Sequence, residues 1–265
     1  MSAQLIQFSP SKELSAFVKR YWIYKGSFQN ADFMRILPFG AIDIIAHKNV
    51  SMEYKCGSQI KKEPLIFIEG QYLGPSFKKP AEQCEFLGIT LHPWATKYLL
   101  DSPAAELTGH VVDIELINRK LKAQLCMIID RYPLTESIGE HLDIMLTSFF
   151  SKLELSKSHK NLVKISLSSG IDLRSHWSQT SRSFQIKFKE IFGITWRQHN
   201  NKKRFLKAMD LINKPDVSYA EIAYKAGYYD QAHFIRQFKE FAGLTPGSYR
   251  KSKANTMVEL TALGH

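Results

Sequence analysis

Three polar side chains stand at spacings that suit the recognition of DNA bases. Gln231, His233 and Arg236 lie in a segment whose apolar residues recur with helical spacing. On a helix over this segment they would face away from the apolar stripe. Arginine suits a bidentate contact to guanine, and glutamine suits adenine or a phosphate oxygen. For His233 the alternative is a neutral surface residue that makes ordinary hydrogen bonds.

A degenerate copy of this segment lies fifty residues earlier. Between 184–195 and 234–245, six of twelve positions are identical, which is far above chance. The identical pairs are Phe184/Phe234, Phe188/Phe238, Lys189/Lys239, Glu190/Glu240, Gly193/Gly243 and Thr195/Thr245. Each copy predicts a short basic helix with Phe at i and i+4 on one face, then a glycine cap and a threonine that begins the next helix.

The second copy and the residues before it predict a helix, a tight turn and another helix. Ser218 and Glu221 form a capping box for a helix over Tyr219 to about Ala226, Gly227 ends it, and Asp230 caps the next. The residues expected between the helices are Ile222, Ala223, Phe234 and Phe238. This is the helix-turn-helix, whose second helix enters the major groove. An ordinary helical hairpin would bury the same residues but would not explain the repeat.

The first copy predicts a second unit of the same kind. Its base-reading positions are Arg182 and Gln185, and its bracing helix is expected from Ile171 to about Trp177. A connecting helix from Trp196 to about Asn213 would span roughly 27 Å at ~1.5 Å per residue. Successive major grooves are about 34 Å apart. Its buried stripe is expected to be Phe205, Ala208, Leu211 and Ile212.

Charge separates the two halves of the chain. Residues 151–265 contain 20 basic and 9 acidic residues, whereas residues 1–150 contain 16 of each, so the whole excess of +11 lies in the repeat-bearing half. This predicts a polyanionic partner for that half, with nucleic acid the commonest and an anionic membrane surface the rival. The expected phosphate ligands are Lys187, Lys189, Lys239 and Arg250, with Lys202, Lys203 and Arg204 as further candidates. Each of them could instead be a solvated surface charge.

Longer motifs run through the second unit: Ile222-Ala223-x-x-x-Gly227-Tyr228, Phe234-x-Arg236-x-Phe238-Lys239 and Gly243-Leu244-Thr245-Pro246-x-x-Tyr249-Arg250. With them, residues from about 160 to 250 resemble the DNA-binding domain of the AraC/XylS family of bacterial transcription regulators. The resemblance implies two helix-turn-helix units joined by a long helix. Ile186 stands where the family often has a polar residue, which implies fewer hydrogen bonds to bases from the first unit.

The first 150 residues predict a small β-barrel or sandwich followed by helices. Short β-type runs span Phe17 to Tyr24, Ala41 to His47, Leu65 to Ile68 and Glu85 to His92. Two helical stripes follow, and each could face the barrel or a second subunit. Their residues are Ile117, Leu121, Leu125, Ile128 and Ile129, then Leu142, Met145, Leu146, Phe149 and Leu153.

A weaker resemblance rests on Arg20-Tyr21-Trp22, Leu37-Pro38-Phe39-Gly40, Gly74-Pro75, Gly88-Ile89-Thr90 and Leu107-Thr108-Gly109. It is to the cupin-like sensor domain that precedes this type of AraC domain, which implies a small-molecule effector and a dimer. The candidates for effector binding are aromatic: Trp22, Phe39, Tyr72 and Trp94, with Phe77 beside them. Each could instead be an ordinary core or rim residue.

An enzymatic reading finds little support in the residues. His47, His92, His110 and His141 form no His-x-His pair and have no Glu at ligand spacing, so no metal, cofactor or catalytic residue is expected. Cys56, Cys84 and Cys126 are too few and too widely spaced for a disulfide framework or a zinc motif. No signal peptide and no apolar run of 18 residues is found, so a cytoplasmic protein without a membrane partner is expected.

The predicted fold class is α+β, with an N-terminal cupin-like β-barrel or sandwich with helices and a C-terminal all-α double helix-turn-helix domain. The expected domains are 1–155 for sensing and dimerisation, 160–252 for DNA binding, and a tail over 253–265. The expected function is that of an effector-modulated transcription regulator bound to promoter DNA. RNA polymerase and a second copy of the chain are further candidate partners. The alternatives are an architectural DNA-binding protein whose N-terminal domain only dimerises it, and an enzyme.

Overall fold

The computed structural model describes residues 2–28, 32–38, 41–150, 160–163, 181–214 and 216–251, and it confirms the α+β class. The described part of the N-terminal half contains ten strands, all paired antiparallel. They are β1 (Ser2–Phe8), β2 (Val18–Ser27), β3 (Met34–Ile36), β4 (Ile42–His47), β5 (Glu53–Cys56), β6 (Gln59–Lys62), β7 (Ile66–Glu69), β8 (Ser76–Lys79), β9 (Gln83–Leu91) and β10 (Val111–Asp113).

The strands form two sheets, one of six strands in the order β1-β2-β9-β4-β7-β10 and one of four in the order β3-β8-β5-β6. Successive residues of β2 point to opposite faces of the larger sheet, and both faces are buried. Tyr21 and Ile23 belong to the main core, whereas Trp22 and Tyr24 belong to a smaller aromatic cluster with Phe86. The β structure therefore has a helix-covered face and an inner face.

Four helices and a 3₁₀ turn follow the strands or interrupt them. They are α1 (Ala95–Leu100), α2 (Ala104–Leu107), the 3₁₀ turn (Ile114–Leu116), α3 (Arg119–Arg131) and α4 (Ile138–Phe150). The predicted stripes bury Leu121 and Leu125 on α3 and Leu142 and Leu146 on α4 in the main core. Of the two alternatives for these stripes, the structure supports packing against the barrel. Leu153 lies outside the described residues.

The described C-terminal part is helical. Residues 160–163 form a short helical stretch. The longer helices are α5 (Ser181–Phe192), α6 (Trp196–Ile212), α7 (Tyr219–Ala226), α8 (Gln231–Ala242) and α9 (Pro246–Lys251). The predicted connecting helix is α6, which ends within a residue of the expected position. Its stripe buries Phe205, Ala208, Met209 and Ile212, whereas Leu211 is only partly buried.

The strand predictions are confirmed for the buried, apolar strands β2, β4, β7 and β9. The sequence did not predict the other six strands. Among these, β5 and β6 are mostly exposed and rich in polar residues, so they lack the apolar signature of a buried strand. The predicted bracing helix over 171–177 lies outside the described residues, and so do the residues between the predicted domains 1–155 and 160–252. In the described part of the chain, every helix is too short or too polar to cross a membrane.

Candidate nucleic-acid interface and N-terminal cavity

The pair formed by α7 and α8 is shaped by local caps. Ser218 Oγ accepts from the Glu221 amide at 3.2 Å, and the Glu221 carboxylate accepts from the Ser218 amide at 2.9 Å. Gly227 ends α7 with φ of 84°, and Asp230 begins α8 by accepting from the His233 amide at 2.6 Å. The predicted capping box, the glycine end and the Asp230 cap are therefore confirmed.

The interior between these helices is closely packed. Ile222, Phe234 and Phe238 are fully buried, and Ala223 lies at the crossing with 2% exposure. Phe205 of α6 lies 5.4 Å from the Phe238 ring and 5.0 Å from the Phe241 ring, measured between centroids. These contacts attach the pair to the connecting helix, so α8 presents its polar face from a rigid support.

That polar face contains the predicted base-reading residues of the second unit. Gln231 and Arg236 are exposed, as is the predicted phosphate ligand Lys239. His233 is half-buried, and its Nδ1 accepts from the Tyr229 amide at 3.4 Å, a long contact that is weak at best. The face can therefore offer a guanidinium, an amide and an ammonium group to one DNA groove, while His233 is partly engaged with the turn.

Two exposed tyrosines beside this face were missed by the sequence reasoning. Tyr229 in the turn is 93% exposed and Tyr224 on α7 is 85% exposed. Their only sequence signal is that aromatic residues stand next to the glycine of a tight turn. An exposed tyrosine hydroxyl at this position can donate to a phosphate oxygen.

The first unit repeats the geometry on α5. Phe184 and Phe188 are buried as the repeat predicts, whereas Arg182 and Gln185 are exposed. Lys189 is exposed, Lys187 is half-buried, and Ile186 is 59% exposed. The two phenylalanines join the main core of the N-terminal half, while those of the second unit pack in a separate C-terminal core. The two copies of the motif therefore pack against different partners.

Arg250 and Lys202, both considered as phosphate ligands, have structural contacts. Arg250 donates from Nε to the Ile212 carbonyl at 2.7 Å and from Nη2 to the Val217 carbonyl at 2.8 Å. Its guanidinium also lies 4.6 Å from the centroid of the Tyr219 ring. Arg250 thus ties α9 to the end of α6. Lys202 is buried between the two halves of the chain, which corrects its prediction as a solvated or phosphate-binding residue.

A cavity of about 90 Å³ lies in the N-terminal half. Its apolar walls include Trp22, Ile36, Leu37, Ile45, Met52 and Phe86, and its polar lining includes Arg20, Asp43, Glu63, Glu69, Tyr72 and Lys78. The structure thus places two of the candidate effector-binding residues, Trp22 and Tyr72, at one cavity. Phe39 lies outside the described residues.

Trp94 does not line this cavity, so its prediction as an effector-binding residue is corrected. It is 6% exposed, donates from Nε1 to the Ala16 carbonyl at 2.7 Å, and stacks on His92 at 4.4 Å between centroids. Its ring also contacts Phe192 of α5 at 5.7 Å. Trp94 is therefore part of the contact between the two halves of the chain. Phe77 is not among the lining residues either.

Buried ion pairs lie on one side of the cavity. Lys78 Nζ lies 2.8 Å from Glu63 Oε1 and 2.8 Å from Glu69 Oε1, and Glu63 Oε2 lies 2.9 Å from His47 Nε2. Burial raises the pKa of Glu63, but the charge of Lys78 and the bond to His47 outweigh it, so that pKa lies below its usual value. Burial holds the pKa of Glu69 above its usual value.

Asp43 lies on the same side of the cavity and is tied to its aromatic wall. Its Oδ1 accepts from Thr90 Oγ1 at 2.5 Å and from Trp22 Nε1 at 3.2 Å. Burial raises the pKa of Asp43 despite these bonds and the nearby charge of Arg20. Gly88 permits the arrangement, because a Cβ there would lie 1.9 Å from the indole of Trp22. The four charged residues Asp43, Glu63, Glu69 and Lys78 were not predicted, since they come from four separate segments of the chain.

The segment after β7 joins the cavity to the first unit. Gly70 and Tyr72 line the cavity, and Gln71 between them is 2% exposed and faces the C-terminal half. Gln71 Nε2 donates to the Phe192 carbonyl, and Gln71 Oε1 accepts from Lys202 Nζ at 2.9 Å. One residue therefore contacts both the end of α5 and the connecting helix.

Gly193 completes this contact. Its carbonyl accepts from Thr108 Oγ1 at 3.0 Å, and its φ of 76° is in the left-handed region. A Cβ at Gly193 would lie 2.7 Å from the Ala104 carbonyl oxygen and 2.8 Å from Gln71 Nε2. The glycine shared by the two repeats thus serves here for close approach as well as for ending a helix.

The second unit also contacts the N-terminal half. Leu37, a cavity residue, is 3% exposed and belongs to the C-terminal core that contains Phe205 and Tyr249. A Cβ at Gly243, which ends α8, would lie 3.0 Å from Pro75 Cγ. Both helix-turn-helix units therefore touch segments that line or adjoin the cavity.

Two family profiles match the chain. Residues 175–252 match one described as "Helix-turn-helix domain", and residues 6–113 match one described as "Domain of unknown function (DUF6597)". The first covers the two repeat helices α5 and α8. The second covers the β structure with its cavity.

Relatives with transcription-related names match part of the chain. YtdP, an HTH-type transcriptional regulator of Bacillus subtilis, is 35% identical over 66 residues, which are 25% of this chain and 8% of YtdP. RhaS, an HTH-type transcriptional activator of Escherichia coli, is 25% identical over 114 residues, which are 40% of this chain and 41% of RhaS. The chain thus spans less than half the length of these curated relatives.

Among solved structures, ToxT from Vibrio cholerae aligns over 95% of this chain and 98% of its own, with 14% identity and a TM-score of 0.45. The helix-turn-helix profile match and the capped helix pair of the second unit agree on the C-terminal half. The chain carries an AraC-type helix-turn-helix domain behind an N-terminal domain that matches the DUF6597 profile.

Proposed function

We propose that the protein is a sequence-specific transcription regulator that binds promoter DNA through its two helix-turn-helix units. A small effector in the N-terminal cavity modulates that binding. In this proposal residues 1–155 form the sensor domain, residues 160–252 the DNA-binding domain, and 253–265 a tail. The observation that carries it is the rigid α7–α8 pair, which presents Gln231 and Arg236 on one exposed face.

The charge distribution supports DNA as the partner. The repeat-bearing half has the whole net charge of +11, and Lys239 and Lys189 are exposed on the two reading helices. An amphipathic helix that binds a membrane would need an exposed apolar face. Here Phe184, Phe188 and Phe234 are buried inside the helix pairs or against the N-terminal half. DNA phosphates therefore fit the basic surface better than lipid headgroups do.

The position of the cavity favours a regulator over an architectural protein. Two of its lining residues flank Gln71, which bonds to the first unit, and a third, Leu37, packs in the core of the second unit. A ligand that displaces Gly70 or Tyr72 changes the contacts of Gln71 to the first unit, and one that displaces Leu37 changes the packing of the second unit. An N-terminal domain that served dimerisation alone would need no such link.

Fluorescence-anisotropy titrations test the DNA-binding part. The probes are a duplex from upstream of the protein's own gene and a shuffled duplex of equal composition, each across a salt series. Native protein is expected to prefer the upstream duplex, and Arg236→Ala to lose about 1–3 kcal/mol of that preference with a similar salt slope.

Lys239→Ala is the matched control on the same helix. It is expected to weaken binding to both duplexes alike and to reduce the salt slope by about 1, because it removes a phosphate contact rather than a base contact. If native protein and both variants bind the two duplexes equally, and a genome-wide selection of bound fragments yields no preferred site, the proposal of sequence-specific regulation is wrong.

A further inference from the structure

The outer face of α5 contains a large apolar side chain among polar ones. Ile186 is 59% exposed. It lies two residues after Phe184 and two residues before Phe188, which are both buried, and two residues turn a helix by about 200°. Ile186 therefore points away from the core, on the side of α5 where Arg182 and Gln185 are also exposed.

The internal repeat gives Ile186 an equivalent in the second unit. The helices α5 and α8 are both twelve residues long, and Ile186 and Arg236 are each the sixth residue. Arg236 is exposed, as Ile186 is. The phenylalanines two residues to either side are buried in both helices: Phe184 and Phe188 in α5, Phe234 and Phe238 in α8. Because the two helices share this register, Ile186 would meet DNA at the position where Arg236 does.

The place of Ile186 is more informative than its exposure, because isolated exposed apolar residues are common on proteins. In the described part of the C-terminal half, the exposed large apolar side chains are those of Ile186, Tyr224 and Tyr229, and all three lie on or beside a helix-turn-helix unit. A β-branched residue also favours a helix slightly less than lysine or glutamate does. Neither helix formation nor core packing therefore explains an isoleucine at this position.

An isoleucine in a DNA groove can recognise a base only through apolar contact, because its side chain has no hydrogen-bonding group. In the major groove thymine presents a 5-methyl group, which the other three bases lack, and apolar side chains contact it. Such a contact removes apolar surface of both groups from water. The polar edges of the other bases would lose hydrogen bonds to water against the same side chain. An aliphatic side chain at this position thus favours thymine.

We propose that Ile186 is a specificity-determining residue of the first unit, which selects a thymine by contact with its methyl group in the major groove. This inference rests on the proposed function, because it assigns a base to one position of the first reading helix. Arg182 and Gln185 supply the polar contacts on the same face. The two units then use different chemistry at equivalent positions: Ile186 contacts a methyl group, and Arg236 donates hydrogen bonds to a guanine.

Removal of the thymine methyl group tests this contact. The probe is the duplex that native protein prefers, synthesised once with thymine and once with deoxyuridine, which pairs with adenine in the same way but lacks the 5-methyl group. Native protein is expected to bind the deoxyuridine duplex about fourfold more weakly for each methyl contact that is lost. The loss of affinity is expected to be about fourfold smaller in Ile186→Ala, which already lacks the contact. Fluorescence anisotropy measures all four affinities.

Ile144→Ala is the matched control, because Ile144 is 72% exposed on α4 in the N-terminal half. This variant is expected to lose as much affinity for the deoxyuridine duplex as native protein does. An equal loss in native protein and Ile186→Ala would overturn the inference, and so would native protein that binds both duplexes equally.

A change of base preference is the second measurement. Ile186→Arg gives the first unit the side chain that the second unit has at the equivalent position. Selection of bound duplexes from a randomised pool is therefore expected to replace one thymine of the native consensus by guanine. A consensus with the same base at every position would contradict the role of Ile186.

Arg236→Ala separates this inference from the proposed function, because it reports on specific binding through the second unit. If Arg236→Ala loses the preference for the specific duplex while native protein and Ile186→Ala lose equal affinity with deoxyuridine, the role of Ile186 is wrong and the sequence-specific function stands. If native protein has no preferred duplex, the proposed function fails and this inference fails with it.

Discussion

Gln71 in the N-terminal half accepts a hydrogen bond from Lys202 in the connecting helix α6, at 2.9 Å and across 131 residues of sequence. Gln71 also donates to the carbonyl of Phe192 at the end of α5. Since its neighbours Gly70 and Tyr72 line the cavity, this side chain links the cavity lining to α5 and α6.

Replacing Gln71 by alanine is expected to destabilise the protein and to weaken the link between the two halves. The change leaves a buried lysine and a buried carbonyl short of a partner each, which costs about 1–3 kcal/mol in the free energy of unfolding. Chemical denaturation measures it, with Gln83→Ala as the control because Gln83 is exposed. Equal effects of the two substitutions would contradict a role for Gln71 in joining the halves.

Lys202 predicts a pH dependence of stability. Burial lowers its pKa to about 8, and the charge of Lys19 acts in the same direction. An unfolded lysine titrates near ~10.4, so between about pH 8 and 10.4 the unfolded state binds more protons than the native state. Below about pH 8 the native state bears the full free-energy cost of burying the charged lysine. This cost disappears as the pH rises through the window, so the free energy of unfolding increases by about 3 kcal/mol at most.

The measurement is the difference in unfolding free energy between native protein and Lys202→Met from pH 7 to 10, since the subtraction removes tyrosines and cysteines that titrate in both proteins. The unfolding free energy of the native protein is expected to increase relative to that of the variant as the pH rises. A difference that stays constant would show that the Lys202 pKa is not lowered in the folded protein.

The C-terminal helices could be predicted because their signals are local. Ser218 and Glu221 are three residues apart, Gly227 ends the helix that they begin, and Asp230 caps the next within its own turn. Each of these capping interactions forms between residues that are close in sequence. The exposed positions of Gln231 and Arg236 then follow from the period of the helix.

The cavity and the contact between the halves could not be predicted, because their residues come together only after the strands have paired. Asp43 and Thr90 bond because β4 and β9 are adjacent in the sheet, where they face each other in register. Trp94 illustrates the same difficulty. An aromatic residue after a strand fits a pocket rim as well as a core, and only the packing of α5 against the β structure decides between them.

Lys78 is expected to be essential for folding stability, unlike its neighbour Lys79. Lys78→Met leaves Glu63 and Glu69 buried without their shared cation, which typically costs about 3–5 kcal/mol. Lys79→Met is the matched control, because Lys79 is 45% exposed and lies 3.9 Å from Glu53, so a change within about 0.5 kcal/mol is expected. Urea titrations at neutral pH measure both, and comparable losses would contradict the assigned pairing.

The ion pair between Lys78 and Glu63 also predicts how stability changes in acid. The pKa of the Glu63 carboxyl group is lowered in the native state. The contribution of Glu63 to the free energy of unfolding is therefore present above the usual glutamate pKa of ~4.3, and it is lost as the pH falls through the lowered pKa. The deficit of Lys78→Met is therefore expected to shrink in acid, where its buried carboxyl groups take up protons. A deficit independent of pH would instead indicate that the lysine stem, through its packing, accounts for the loss.

Substitution of Arg250 tests whether this residue is a structural arginine or a phosphate ligand. Because its guanidinium donates to the carbonyls of Ile212 and Val217, Arg250→Ala is expected to lower the unfolding free energy by about 1–3 kcal/mol. The salt slope of DNA binding by the folded variant is expected to match that of native protein, since no phosphate contact is lost. Arg197→Ala, at an exposed position on α6, controls for the loss of one positive charge. A slope reduced by about 0.9 in Arg250→Ala alone would instead identify Arg250 as a phosphate ligand.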